Sequence, residues 1–228
     1  MVVRVLGVDG CRDGWVGVAP DPGAPRAYAA PDLLALVALA EADGPLVRVG
    51  VDIPIGLLDA GWREADRLAA ASLGRRRASI FRTPVRAALE APDHASGVRT
   101  SNEASGAGFS IQAWGLRTKV FEVDLVVRGG DDRITEVHPE LSFARMAGRP
   151  AQHPKKTWAG QQERLRLLDD AGIDLARLTG DAGSAAPDDV VDAAAVAWTA
   201  LRLAHGEAVS VPDPPQPVPY GLHAAIWV

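Results

Sequence analysis

The sequence predicts an α/β fold: a mixed five-stranded sheet with helices on both faces and a helical insertion between strands four and five. Three observations predict it. Three short β-type runs follow one another near the start, separated only by turns. A later run, "LVRVGVDIPIG" (46–56), is apolar on both faces, as a central parallel strand is. Stretches with helical spacing alternate with the remaining strands, which gives crossovers and helical layers.

The first strand covers residues 3–9, within an apolar run from Val2 to Val8, and ends on Asp9 and a Gly10–Cys11 turn. Residues 15–20 form the second strand and 26–30 the third, joined by "DPGAP" (21–25), whose Pro and Gly supply the φ values of a turn. Residues 31–44 form a helix, with Pro31 in its first turn and Gly44 at its end. The fourth strand is 46–56. Residues 57–130 are mainly helical: 62–74 has a Gly stop, and 110–127 places Ile111, Trp114, Val120, Val123 and Val127 at three-to-four spacing. A fifth strand (132–138) and helices at 139–148, 160–172 and 187–206 follow. Five prolines between 212 and 219 make an extended tail, and 221–228 closes as an edge strand. There is no repeat and no low-complexity linker, so residues 1–228 are expected to form a single domain with the insertion at about 57–130.

The 228 residues can bury a sizeable core. Hydrophobic residues make up 47% and charged residues 23%, as in globular proteins. No apolar run approaches the roughly 18 residues of a membrane span, and the start has no signal-peptide layout. A single cysteine excludes an internal disulfide and a Cys-cluster zinc site. No membrane association and a cytoplasmic location are expected; oligomeric state is not readable. The net charge of −5 argues against nucleic acid, but its distribution does not. "GRRRASIFRTPVR" (74–86) carries Arg75, Arg76, Arg77, Arg82 and Arg86 without an acid, and Lys155 and Lys156 lie in "HPKKTW" (153–158). Each basic cluster reads either as a phosphate-binding face or as a solvated loop.

Asp9 ends strand one, and Asp52 stands near the end of strand four, just before Pro54, which cannot continue a central ladder. If the two strands are parallel neighbours, both carboxylates lie at the carboxyl edge, where open α/β sheets place their sites. Asp188 and Asp189 occupy the first turn of the last helix, where the helix dipole alone would explain them. Asp192 sits a turn further in, on an otherwise apolar stretch, and shares a face with Asp189. A buried carboxylate there costs several kcal/mol unless it is paired or holds a metal. "TEVHPE" (135–140) adds Glu136 and His138, on one face by alternation, and Glu140, which also fits a helix cap. His138 reads as a hydrogen-bonded structural histidine or as a ligand. Two like charges about 4 Å apart repel by about 4 kcal/mol at an effective dielectric of about 20. Converging acids would therefore protonate or hold a cation, and all-oxygen donors favour Mg²⁺ or Mn²⁺.

Asp at a strand end, an acid on a second strand and a late helix reading "DVVDAAAVA" (189–197) resemble the RNase H-like superfamily, and the D-x-x-D-A form is similar to the last helix of its Holliday-junction resolvases. More closely, the chain resembles an uncharacterised prokaryotic family of predicted nucleases with the RNase H fold. The resemblance is carried by "GVDGCRDGW" (7–15), "VDIPIGL" (51–57), "DRLAAASLGRRRASIFRTP" (66–84), "EVHPELSF" (136–143), "KKT" (155–157) and "DDVVDAAAVAWTA" (188–200), in order along nearly the whole chain. It implies an RNase H-like sheet and a metal site of Asp9, Asp52, Asp189 and Asp192. The 57–130 block has no counterpart in a minimal RNase H fold.

The expected function is metal-dependent hydrolysis of DNA or RNA phosphodiesters. Asp9 would bridge two Mg²⁺ or Mn²⁺ ions, Asp52, Asp189 and Asp192 would complete their shells, and Glu136 is a weaker fifth catalytic candidate. Arg75, Arg76, Arg77, Lys155 and Lys156 would hold substrate phosphates. Two rivals stand beside it. One is a small-molecule phosphotransferase or nucleotide-binding protein of the related sugar-kinase and actin group, although "DGCRDGW" has no Ser or Thr to touch a phosphate. The other is a non-catalytic protein that keeps the fold.

Overall fold

The computed structural model describes residues 3–228; Val2, at the head of the first apolar run, lies outside the described residues. The chain divides into two compact units, one of residues 1–53, 132–209 and 227–228, the other of residues 54–131 and 210–226.

In the first unit, β1 (Val5–Cys11) turns through Arg12 and Asp13 into β2 (Gly14–Ala19), and β3 (Arg26–Ala30) follows, all antiparallel. Helix α1 (Leu33–Glu41) is capped by Asp32, whose carboxylate accepts from the Ala35 N–H at 2.8 Å. It leads into β4 (Arg48–Val51), which pairs parallel with β1. The expected fourth strand is cut back at both ends. One further ladder bond, Asp52 N–H to the Val8 carbonyl at 3.0 Å, follows β4, and then Pro54 ends the pairing.

The second unit holds the insertion: α2 (Glu64–Leu73), a 3₁₀ turn over Gly74–Ser79, α3 (Arg86–Leu89), α4 (His94–Ser105), α5 (Ile111–Gly115) and α6 (Arg117–Arg128). The helix expected over 110–127 is two helices. Ser110 caps the first, and the chain turns at Leu116 before the second. Helix α4 has no apolar stripe, which is why spacing alone does not announce it. Asp93 caps it and Gly106, in the left-handed conformation, ends it.

The first unit resumes with β5 (Ile134–Glu136), parallel to β4, then α7 (Pro139–Ala147), α8 (Trp158–Asp170), the two-residue β6 (Thr179–Gly180) beside β3, and α9 (Pro187–Ala204). Among the described residues the main sheet runs β5-β4-β1-β2-β3-β6. The proline-rich segment, expected as an extended tail, is β7 (Ser210–Pro217) and pairs with β8 (His223–Trp227) in a separate two-stranded sheet.

Helix α9 packs on β1, β2 and β4, and α1 on β2 and β3. Gly7 and Gly50 are register partners on β1 and β4. A Cβ on Gly7 would stand 2.0 Å from the Ala197 nitrogen and 2.2 Å from the Ala193 carbonyl oxygen; one on Gly50 would stand 2.7 Å from Val196 Cγ1. The two glycines thus make a flat seat on which the backbone of α9 rests. Leu6, one residue from Gly7, points the opposite way, toward Leu36 of α1, so the two helices cover opposite faces. Order 5-4-1-2-3 with β1, β2 and β3 antiparallel and helices packed on the sheet is RNase H-like topology. No helix among the described residues is long and apolar enough to cross a membrane.

Candidate functional site

The seat for α9 also decides where the acids go. Alternation puts Asp9 on the same face of β1 as Gly7, and Asp52 on the same face as Gly50. Both lie at the carboxyl ends of their strands, on the face that α9 covers. The helix lies over Gly7 with Ala193 and Ala197, so its earlier residues, Asp192, Asp189 and Asp188, extend toward the strand ends.

The charges register this convergence. Burial raises the Asp9 carboxyl well above the usual carboxylate range, and the charges of Asp52, Asp192 and Asp189 raise it further, with Lys155 opposing. Asp52 is raised by burial, with His138 and Lys155 lowering it and Glu140 raising it. Burial lifts Asp192 to about 6, against Lys155 and with a further push from Asp52 and Glu140. Asp189 is raised by burial too, although its carboxylate accepts the Ala186 N–H at 3.3 Å and so closes the first turn of α9.

Lys155 lies among these acids. Its Nζ donates to Asp192 Oδ2 at 2.6 Å and stands 3.8 Å from Asp188. Burial opposes its charge, but Asp192, Asp9 and Asp188 outweigh burial and raise its pKa. Lys156 is exposed, and its charge acts on Asp189. Trp158, the first residue of α8, is 79% exposed.

Glu140 joins the group from the start of α7. His138 caps that helix, its Nδ1 accepting from the Glu140 N–H at 3.2 Å. The Glu140 carboxylate receives the guanidinium of the fully buried Arg164 on α8. Its other oxygen, Oε2, is buried without a hydrogen-bond partner, and so is Asp192 Oδ1. Sequence reading assigns Glu140 to capping; the signal it misses is the helix-borne Arg164, whose charge needs a buried acid.

Glu136 does not belong to this group. It is buried at the end of β5 and pairs in register with Val51. Neighbours in a parallel ladder share a face, so Glu136 points away from the face that carries Asp52. His138 follows as the cap of α7, and its charge acts on Asp52. Arg75, Arg76 and Arg77 belong to the second unit, where Arg75 and Arg77 are exposed on the 3₁₀ turn that follows α2.

Carboxylate oxygens, two of them buried without partners, suit a hard divalent cation by donor chemistry. They are gathered but not closed around a point: among the described residues no three His, Cys, Asp or Glu side chains stand at a spacing that holds a metal ion.

Fold and site together define an RNase H-like α/β protein with a cluster of acids at the carboxyl edge of its sheet. The DUF429 family, described as a protein of unknown function, matches residues 7–217, and the chain belongs to that family. Comparisons with curated proteins and with solved structures gave no match.

Proposed function

We propose that the protein is a divalent-cation-dependent hydrolase of phosphodiester bonds in DNA or RNA. The observation that carries this reading is Asp192: 3% exposed, one carboxylate oxygen without a partner, and close enough to Asp9 and Asp52 for their charges to act on one another. A buried carboxylate group of this kind is costly unless cations or protons offset it. Bound Mg²⁺ or Mn²⁺ would acidify water for attack on phosphorus and stabilise the leaving oxygen. Asp9, Asp52, Asp189 and Asp192 would hold the ion. The exposed Lys156 would meet a backbone phosphate, and the exposed Trp158 would stack on a base. Water adds to phosphorus, one P–O ester bond breaks, and the products are a phosphomonoester and an alcohol.

The test is calorimetric titration of Mn²⁺ and Mg²⁺ into wild type and Asp9→Asn, followed by cleavage assays on single- and double-stranded DNA and RNA. Cation binding and cleavage lost in the variant are expected. Cleavage unchanged by Asp9→Asn would sink the assignment. Saturable ATP binding without cleavage would favour the phosphotransferase or nucleotide-binding reading instead.

A further inference from the structure

The turn between β1 and β2 sets a base at the rim of the acid cluster. Cys11 and Gly14 are register partners, so Arg12 and Asp13 make up the whole connection. Asp9 lies three residues earlier on β1, which puts the turn at the carboxyl edge of that strand. The turn is fixed from outside. Ser184 Oγ donates to the Asp13 carboxylate at 2.6 Å and ties the turn to the loop just before α9. Arg12 is exposed, and its guanidinium makes no hydrogen bond or ion pair among the described residues. Its backbone is held and its charge is free, which suits a phosphate oxygen pair.

The segment ahead of α8 meets the same start of α9. Residues 151–162 contain no acid. Lys155 turns in, its Nζ donating to Asp192 at 2.6 Å and standing 3.8 Å from Asp188, while Lys156 and Trp158 stay outside and exposed. This backbone too is held. Gln161 Nε2 donates to the Lys155 carbonyl at 2.8 Å, and the Glu163 carboxylate accepts from the Gln152 and His153 N–H groups at 3.0 and 3.1 Å. Thr157 caps α8 through the Gly160 N–H at 3.1 Å. An exposed indole can stack only on a base with an open face. In a duplex each base is covered on both faces by its neighbours, whereas a single strand can splay a base out.

We infer that the polymer taken at the acid cluster is a single strand, with Arg12 on a backbone phosphate and Trp158 stacked on an unpaired base. This rests on the phosphodiester-hydrolase reading above and deepens it. It adds Arg12 to the substrate surface and excludes a closed duplex. A phosphate contact and a stack carry no base identity, so the strand is bound without regard to sequence.

The experiment is fluorescence anisotropy in EDTA, over a range of salt, with labelled DNA and RNA strands of about 15 nucleotides and the duplexes they form. Wild type is compared with Arg12→Gln, Arg12→Lys and Trp158→Ala, and circular dichroism checks folding. Wild type should bind the strand about tenfold or more tightly than the duplex. Arg12→Gln should weaken strand binding and lower the slope of log affinity against log salt by about 0.7, the share of one phosphate. Arg12→Lys should keep the slope. Trp158→Ala should weaken the strand and leave the duplex unchanged. Duplex bound as tightly as the strand, an unchanged slope in Arg12→Gln, or no binding of either polymer would overturn the inference. Cation-dependent cleavage of the duplex alone would also overturn it and leave the hydrolase reading standing. Strand binding as expected, with no cleavage of any polymer by wild type, would overturn the hydrolase reading and leave the single-strand surface. If a variant does not fold, the wild-type ratio of strand to duplex affinity decides.

Discussion

Gly7 and Gly50 face each other across the β1–β4 ladder, and the backbone of α9 lies directly on the pair. Three acids of the cluster take their place from this contact: Asp9 and Asp52 stand two residues beyond the glycines, and Asp192 adjoins Ala193, whose carbonyl oxygen lies above Gly7.

Gly7→Ala forces a Cβ against helix backbone, which cannot rotate away, so α9 must lift. A loss of about 3 kcal/mol or more is expected, at the upper end for overpacking. Gly50→Ala meets chiefly the side chain of Val196 and should cost less, about 1–2 kcal/mol. Urea denaturation of both variants checks the ranking. An equal cost would mean that the helix does not rest on Gly7 as described.

Asp192 fixes a pH dependence. Its carboxyl is raised to about 6 in the folded chain, so between an unfolded value of about 3.9 and that point the folded state binds more protons. Stability therefore falls as pH rises from about 4 to about 7, by about 3 kcal/mol for this group. Asp192→Asn lacks that contribution, so the stability of the variant relative to wild type should improve across the same window. Saturating Mn²⁺ should flatten the wild-type slope. Parallel stability curves for the two proteins would refute the assignment.

Glu140 and Arg164 form a buried pair with almost no exposure on either side. Removing either partner strands the other's charge. Glu140→Ala and Arg164→Ala should each cost about 3–5 kcal/mol. The double variant should cost less than the sum, with a coupling of about 0.5–3 kcal/mol from a double-mutant cycle. Additive losses would show that the pair is not coupled.

Trp158→Ala should weaken binding of a single-stranded oligonucleotide, measured by anisotropy in EDTA so that no cleavage occurs. Stacking of one base on an aromatic ring contributes about 1–3 kcal/mol, roughly a 5- to 150-fold change in affinity. Trp158→Phe should retain most of it. Unchanged binding by Trp158→Ala would remove this residue from the substrate surface.

The sheet was legible because its signals are local: alternation and turn residues mark β1 to β3, and Pro54 marks the exit of β4. Asp9, Asp52, Asp189 and Asp192 were legible for the same reason, since strand ends and helix periodicity place them without knowledge of the packing. What escaped depends on register or on distant partners. Glu136 and Asp52 lie on opposite faces because Glu136 pairs with Val51, which no spacing rule reveals. Glu140 looked like a cap because Arg164 lies on a different helix. Lys155 looked like a surface charge because the bonds that steer it inward come from Gln161, Glu163 and Arg164 of the helix that follows. The Gly7–Gly50 seat is invisible until two strands 43 residues apart are aligned.

The contact between Lys155 and Asp192 also bears on the order in which the molecule is made. A pocket of bare carboxylates would oppose its own closure, and the last helix could not settle until ions arrived from solution. Here the counter-charge is encoded in the chain, ahead of α9, and comes with the polypeptide itself. Closure of α9 over the acids thus draws a counter-charge from the chain itself and does not wait on an ion from solution.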